Sequence, residues 1–220
     1  MKKLLFIALL FCFYGKTSAI QKISTESKDT VNLKDKTHFI KVHFLYGSKP
    51  KKKFKATESK WFGGILGGHV GIEKDSNVVF NFVPSGSFHV FAKKKERHSS
   101  FTTHSPNSFW TIMGSHHDSV KKLTVLVPIS ARQGLLFDSL SKAYREQTPY
   151  DYAFFGMRCG AAAYDVLARI GVMKKFRYRK THRKIFYPKR LRKRLIKKAK
   201  RNGWKMIRNE GSERRKWERD

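Results

Sequence analysis

Up to residue 128 the chain is built from short apolar or alternating segments, and only after Ser130 does its hydrophobic spacing change to a helical period. Residues 39–45, 68–73, 78–82, 87–92, 109–113 and 123–128 are rich in Val, Ile and Phe and separated by polar turns, which predicts strands. Ser130 suits an N-cap for a helix through Tyr144, with Leu135, Leu136, Leu140 and Ala143 on one face. A loop at 147–152 leads into a second helix ending near Gly171. Strands gathered ahead of helices predict an α+β domain, an antiparallel sheet of about six strands with helices packed on it.

The ends of the chain differ from this middle. Lys2 and Lys3 precede an apolar run at 4–14, and Gly15, Ser18 and Ala19 follow, which reads as a secretory signal peptide over 1–19. The run is shorter than the roughly 20 residues a membrane span needs, so export without a transmembrane helix is expected, to a periplasm or cell surface. One of the two cysteines, Cys12, lies inside the leader and would leave with it. Phe11 before it argues against a lipoprotein-type modification. The mature chain then holds a single thiol, Cys159, which excludes an internal disulfide. Residues 20–37 form a polar N-terminal segment, and 38–173 the expected domain.

The formal net charge is +32, and residues 174–220 hold 22 of the 48 Lys and Arg against four acids. Within this basic extension, Pro188 opens and Asn202-Gly203 closes a helical pattern whose Leu191, Leu195, Ile196 and Ala199 share one face. Lys193, Arg194, Lys197 and Lys198 are its candidate surface-binding cations. A solvated basic surface, attraction to an anionic membrane or envelope polymer, and nucleic acid are the three readings of the charge. Nucleic acid is the least favoured, because no recognised binding module accompanies the charge.

Cys159 stands where a loop becomes a helix, and Ala162, Ala163, Val166, Leu167 and Ile170 continue its apolar stripe. A buried small hydrophobe is one reading. The other is a nucleophile, since first-turn N–H groups and Arg158 stabilise a thiolate. A distant histidine, His69, in Gly68-His69-Val70-Gly71-Ile72 would supply the base. A histidine satisfied within its strand is the alternative.

The order of these motifs, with His69-Val70-Gly71-Ile72 running into Val78-Val79-Phe80-Asn81-Phe82 and much later Tyr150-Asp151-Tyr152 leading to Cys159, resembles the circularly permuted branch of the NlpC-type papain-like superfamily. That branch holds lecithin:retinol acyltransferase-like proteins and bacterial envelope cysteine hydrolases. The resemblance spans roughly 39–171 and implies a permuted papain-like fold, with Cys159 as nucleophile and His69 as general base. A polar residue on the next strand would orient the imidazole, and Asn81 matches that place. If Glu73 faces Asn77 across the turn, His69 faces Asn81 on one side of the sheet, while a one-residue slip would separate them and leave Glu73 or His89 as substitutes. The Cys159 N–H is the expected oxyanion donor, Gly160 would allow close approach, and Tyr150 or Tyr152 would add a hydroxyl. The Gly160-Ala161-Ala162-Ala163 run departs from the polar residue that often follows the cysteine in this branch.

His116-His117-Asp118, with His98 and His104 nearby, offers imidazoles and a carboxylate of the kind a metal centre uses. Adjacent strand histidines point to opposite faces, and the spacing matches no metal site, so neither metal nor cofactor is expected. The sequence therefore predicts an exported cysteine hydrolase or acyl-transfer enzyme for an amide or ester bond of the cell envelope, peptidoglycan peptide first and acylated lipid second. A non-catalytic envelope-binding protein that uses the same fold and its basic tail is the alternative.

Overall fold

The structure, a computed structural model, describes residues 38–59, 67–74, 77–95, 97–114 and 116–220. The expected leader and polar segment lie outside the described residues. In chain order the elements are β1 (His38–Tyr46), β2 (Ser48–Pro50), β3 (Gly68–Glu73), β4 (Val79–Pro84), β5 (His89–Phe91), β6 (Ser99–His104), α1 (Pro106–Thr111) and β7 (Lys122–Ile129). They continue with α2 (Ala131–Glu146), β8 (Ala153–Phe155), α3 (Cys159–Arg169), α4 (Tyr178–Lys184), α5 (Pro188–Asn202), β9 (Met206–Asn209) and β10 (Arg215–Trp217). The fold is α+β, on a six-stranded antiparallel sheet ordered β6-β4-β3-β1-β7-β9.

The sheet is covered on both faces, which explains why β1 is apolar almost throughout. Ile40, Val42 and Phe44 enter the larger core with Val70, Ile72, Phe80, Phe82 and the buried side of α3. Alternation sends His43 and Leu45 to the opposite side, where Leu45 and Val79 meet Phe109 and Trp110 of α1. This second, smaller core lies on the face that carries His69 and Asn81.

Two expected strands are corrected. Residues 109–113 are not a strand: α1 runs through Thr111, with Ser105 accepting from the Ser108 N–H as N-cap and Pro106 in the first turn. Phe109, Trp110 and Met113 are buried together, the i, i+1, i+4 grouping of a helix face. Residues 87–92 contribute only the three-residue β5, which pairs in parallel with β8 outside the main sheet. The places of these two in the sheet are taken by β6, whose polar composition hides it from a search for apolar runs, and β9, which is only four residues long. The helix begun by Ser130 forms as expected, with a full capping box between Ser130 and Gln133.

Residues 174–220 form one compact unit with the preceding sheet and helices. Leu191, Leu195 and Ala199 of α5 are fully buried, and burying the two leucines alone contributes about 3–6 kcal/mol. Gly203 ends the helix in the left-handed conformation at φ 67°. Arg192, also fully buried, donates to Glu218 at 2.8 Å and Asp220 at 2.9 Å and lies 3.7 Å over the Tyr46 ring. β9 then extends the sheet beside β7, and β10 pairs with β2.

Candidate active site

His69 is set by the glycine before it. Gly68 has φ +91°, and a Cβ there would meet the Leu45 carbonyl oxygen at 2.5 Å, so only glycine lets β3 begin this close to the end of β1. The β3–β4 register pairs Gly71 with Asn81 and Glu73 with Val79, two residues from the expected His69–Asn81 pairing. A two-residue displacement preserves the pleat, so His69 and Asn81 remain on one face as diagonal neighbours. His69 Nε2 lies 3.0 Å from Asn81 Oδ1.

The amide orientation of Asn81 follows from its other contacts. Its Nδ2 donates to the Val79 carbonyl at 3.2 Å and lies 2.8 Å from His104 Nδ1. With the nitrogen so committed, Oδ1 accepts, and His69 Nε2 must carry the proton it donates. That fixes the tautomer and leaves Nδ1 to face Cys159 as a base. His104 is held below the usual imidazole value by burial and by the charge of His69, which keeps it a neutral acceptor for Asn81. In the sequence His104 stands out only beside the other histidines; its one further cue is its position at the end of a polar strand without an alternating pattern.

Cys159 is the first residue of α3 and is buried. Burial pushes its thiol up, but the neighbouring His69 charge, hydrogen bonds from His69 and Tyr152, and Arg158 outweigh this and hold it below the ordinary thiol value. His69 moves the other way: burial lowers it, while the Cys159 thiolate and hydrogen bonds to Cys159 and Asn81 raise it above the ordinary imidazole value. A lowered thiol beside a raised imidazole is the condition for a thiolate–imidazolium pair. The helix start makes no side-chain capping bond, so its N–H dipoles add to that field. Arg158 is anchored by donating to the Phe186 carbonyl and lying 3.8 Å over the Phe186 ring.

Tyr152 resolves the tyrosine alternative. Burial, the Cys159 charge and its hydrogen bond to the sulfur keep its phenol well above the usual value, and its oxygen also accepts from the Cys159 N–H. It is therefore a neutral donor beside the sulfur, pinned there because Ala153 N–H donates to the Met157 carbonyl at 3.2 Å. Tyr150 is not at the thiol; its ring packs among Phe82, Phe101 and Tyr144. Gly160 faces away as well. A Cβ on it would meet Pro188 Cα at 2.9 Å, so this glycine permits α3 to touch the start of α5.

The substitute orienting groups serve elsewhere. Glu73 accepts from Lys41 and lies 2.9 Å from His43 Nε2, and these contacts outweigh burial to hold its carboxyl down at about 2. His89 binds the buried Asp151 at 2.6 Å and stacks on His98. Among the described residues no three His, Cys, Asp or Glu side chains converge as a metal site. Of the four tail cations, Lys193, Arg194 and Lys197 are exposed. Lys198 is corrected as a surface contact: half-buried, it donates to the Val172 carbonyl and lies over Trp204.

Beside His69, Tyr152 and His104 opens a cavity of about 450 Å³ walled by Val83, Pro84, Ile112 and Met113. The lid over the His69 ring is Phe109, at a centroid distance of 5.6 Å. Gly71 makes room for it, since a Cβ there would meet Phe109 at 2.7 Å. No helix among the described residues is long and apolar enough to cross a membrane. The chain matches no family model, and neither curated proteins nor solved structures yield a match.

Proposed function

We propose that this protein is an exported cysteine hydrolase or acyl-transfer enzyme with a permuted papain-like arrangement, acting on an amide or ester bond of the cell envelope. The observation that carries the reading is the chain of contacts Cys159–His69–Asn81–His104, in which one tautomer satisfies every hydrogen bond and leaves His69 Nδ1 as base. Cys159 as thiolate attacks the carbonyl carbon, and the carbonyl oxygen takes up the negative charge. The Tyr152 hydroxyl, freed as charge leaves the sulfur, is the proposed donor to that oxygen, while the Cys159 N–H, the expected oxyanion donor, is engaged in holding the phenol. The His69 imidazolium then protonates the leaving amine or alcohol, and water or a second nucleophile releases the acyl group from sulfur.

Peptidoglycan peptide remains the first substrate class, on the resemblance. The apolar walls of the 450 Å³ cavity favour a second class, acylated lipids, because Val83, Ile112 and Met113 suit an alkyl chain. Purified protein should be assayed on wall-derived peptides and on p-nitrophenyl esters of increasing chain length, with Cys159→Ala and His69→Ala as controls. Turnover lost in both variants supports the reading, and its dependence on chain length assigns the class. No turnover of any substrate, with a thiol unreactive until denaturation, would favour the non-catalytic binding protein.

A further inference from the structure

Several large apolar side chains stand exposed on and just before β5 and on β8. Phe91 is 70% exposed, Val90 56%, Phe155 51% and Phe88 47%. The β5–β8 register sets Phe91 opposite Phe155, and their rings stack at 5.4 Å. A two-stranded pair is marginal in water by itself, yet this one is fixed. Buried Asp151 binds His89 at 2.6 Å and accepts from the backbone N–H groups of Lys93 and His98 at 2.9 Å each. The aromatic ridge is thus an ordered surface, and ordered exposed patches of this kind mark interaction sites.

Cations surround it. The ridge borders a cleft of about 900 Å³ whose walls include Lys93, Lys94 and Arg97 on one side and Arg179 and Arg183 of α4 on the other. The one acid among the described lining residues is Asp151, 1% exposed and already partnered. Residues 93–97 keep a charge of +3 with Glu96 included. Phenylalanines flanked by lysine and arginine fit the boundary of an anionic bilayer, where rings enter the headgroup region and cations meet phosphates. A hydrophilic anionic polymer would leave the rings with nothing to bury against.

We propose that the β5–β8 ridge and its basic cleft dock this protein on the surface of an anionic phospholipid bilayer. The inference stands apart from catalysis, because binding is measured equally well with Cys159→Ala.

Full-length protein without its leader should be sedimented with vesicles of phosphatidylcholine and of phosphatidylcholine containing phosphatidylglycerol. Anionic vesicles should bind, and neutral ones should not. Phe91→Ser with Phe155→Ser should weaken anionic binding at least about tenfold, as loss of two inserted rings requires. Lys94→Gln with Arg183→Gln should weaken it by roughly fivefold per cation. Lys193→Gln with Arg194→Gln and Lys197→Gln, on α5, should change it far less. Equal loss from the α5 variant, or no loss from the serine variant, would overturn the proposal in favour of diffuse electrostatic adsorption. Should the serine variant fail to fold, Phe91→Trp replaces it: quenching of the added emission by brominated lipids supports insertion, and its absence overturns it. Stronger Phe-dependent binding to an acidic protein than to any vesicle would also overturn it.

Discussion

The Cys159–His69 pair makes a quantitative demand on thiol reactivity. An ordinary thiol with pKa near 8.5 is about 0.3% thiolate at pH 6, so a thiol held as thiolate by imidazolium gains up to ~300-fold in reactive population. A stabilised thiolate is also a weaker nucleophile, and a Brønsted slope of about 0.4–0.5 removes nearly half of that gain on a logarithmic scale. The net advantage at pH 6 is then about twentyfold. The perturbation is His69→Ala, which removes the leading opponent of burial at the thiol. Alkylation by iodoacetamide, followed by mass spectrometry from pH 5 to 9, reads it. Wild-type labelling should be nearly flat between the lowered thiol and the raised imidazole. The variant should be slower at pH 6 by at least about twentyfold and should rise steeply toward pH 9, because burial alone pushes its thiol up. A wild-type profile as steep as the variant's would refute the ion pair, whatever the distances.

Asn81→Ala should lower turnover by about ten- to a thousandfold without unfolding the chain, and His104→Ala should lower it less, since His104 hydrogen-bonds the Asn81 amide rather than His69 itself; equal effects would contradict that order. Glu73 is held at about 2 against an ordinary 4.5, a depressed carboxyl whose contribution of about 3 kcal/mol is complete above pH 4.5 and lost as pH falls toward 2. Glu73→Gln should therefore lose about that much at pH 7 in denaturant titrations, and its gap to wild type should close in acid. Glu218→Ala removes one of the two carboxylates that pair the buried Arg192, leaving Asp220, and should destabilise by about 1–3 kcal/mol, lowering the thermal midpoint with a small-ester turnover that survives below it. An unchanged midpoint would show that the C-terminal ties are dispensable.

Part of the site is legible along the chain because its signals are local. A glycine before a strand histidine, a cysteine opening an apolar helix, and a Ser130–Gln133 cap each depend on neighbours a few residues away. The alternation period of two also made the His69–Asn81 relation robust: the true register differs by two residues, yet both side chains stay on one face. A one-residue error would have broken it. Sequence alone thus determined the α+β class, the strand that carries His69, the helix that carries Cys159 and the parity that joins His69 to Asn81.

Tertiary structure decided the rest, where long-range pairing overrides local pattern. Polar β6 and short β9 are strands because β4 and β7 offer open edges, while apolar Phe109 and Trp110 lie in a helix because a capped start lets them close over the second core. Tyr152 rather than Tyr150 meets the thiol because residues 152–157 fold back on themselves, a contact no spacing announces. The basic segment became a packed wall, because its narrow seam of Leu191, Leu195 and Ala199 has the sheet and α3 to bury against. Charge is written in composition, but the surface left free to use it depends on which faces the fold covers.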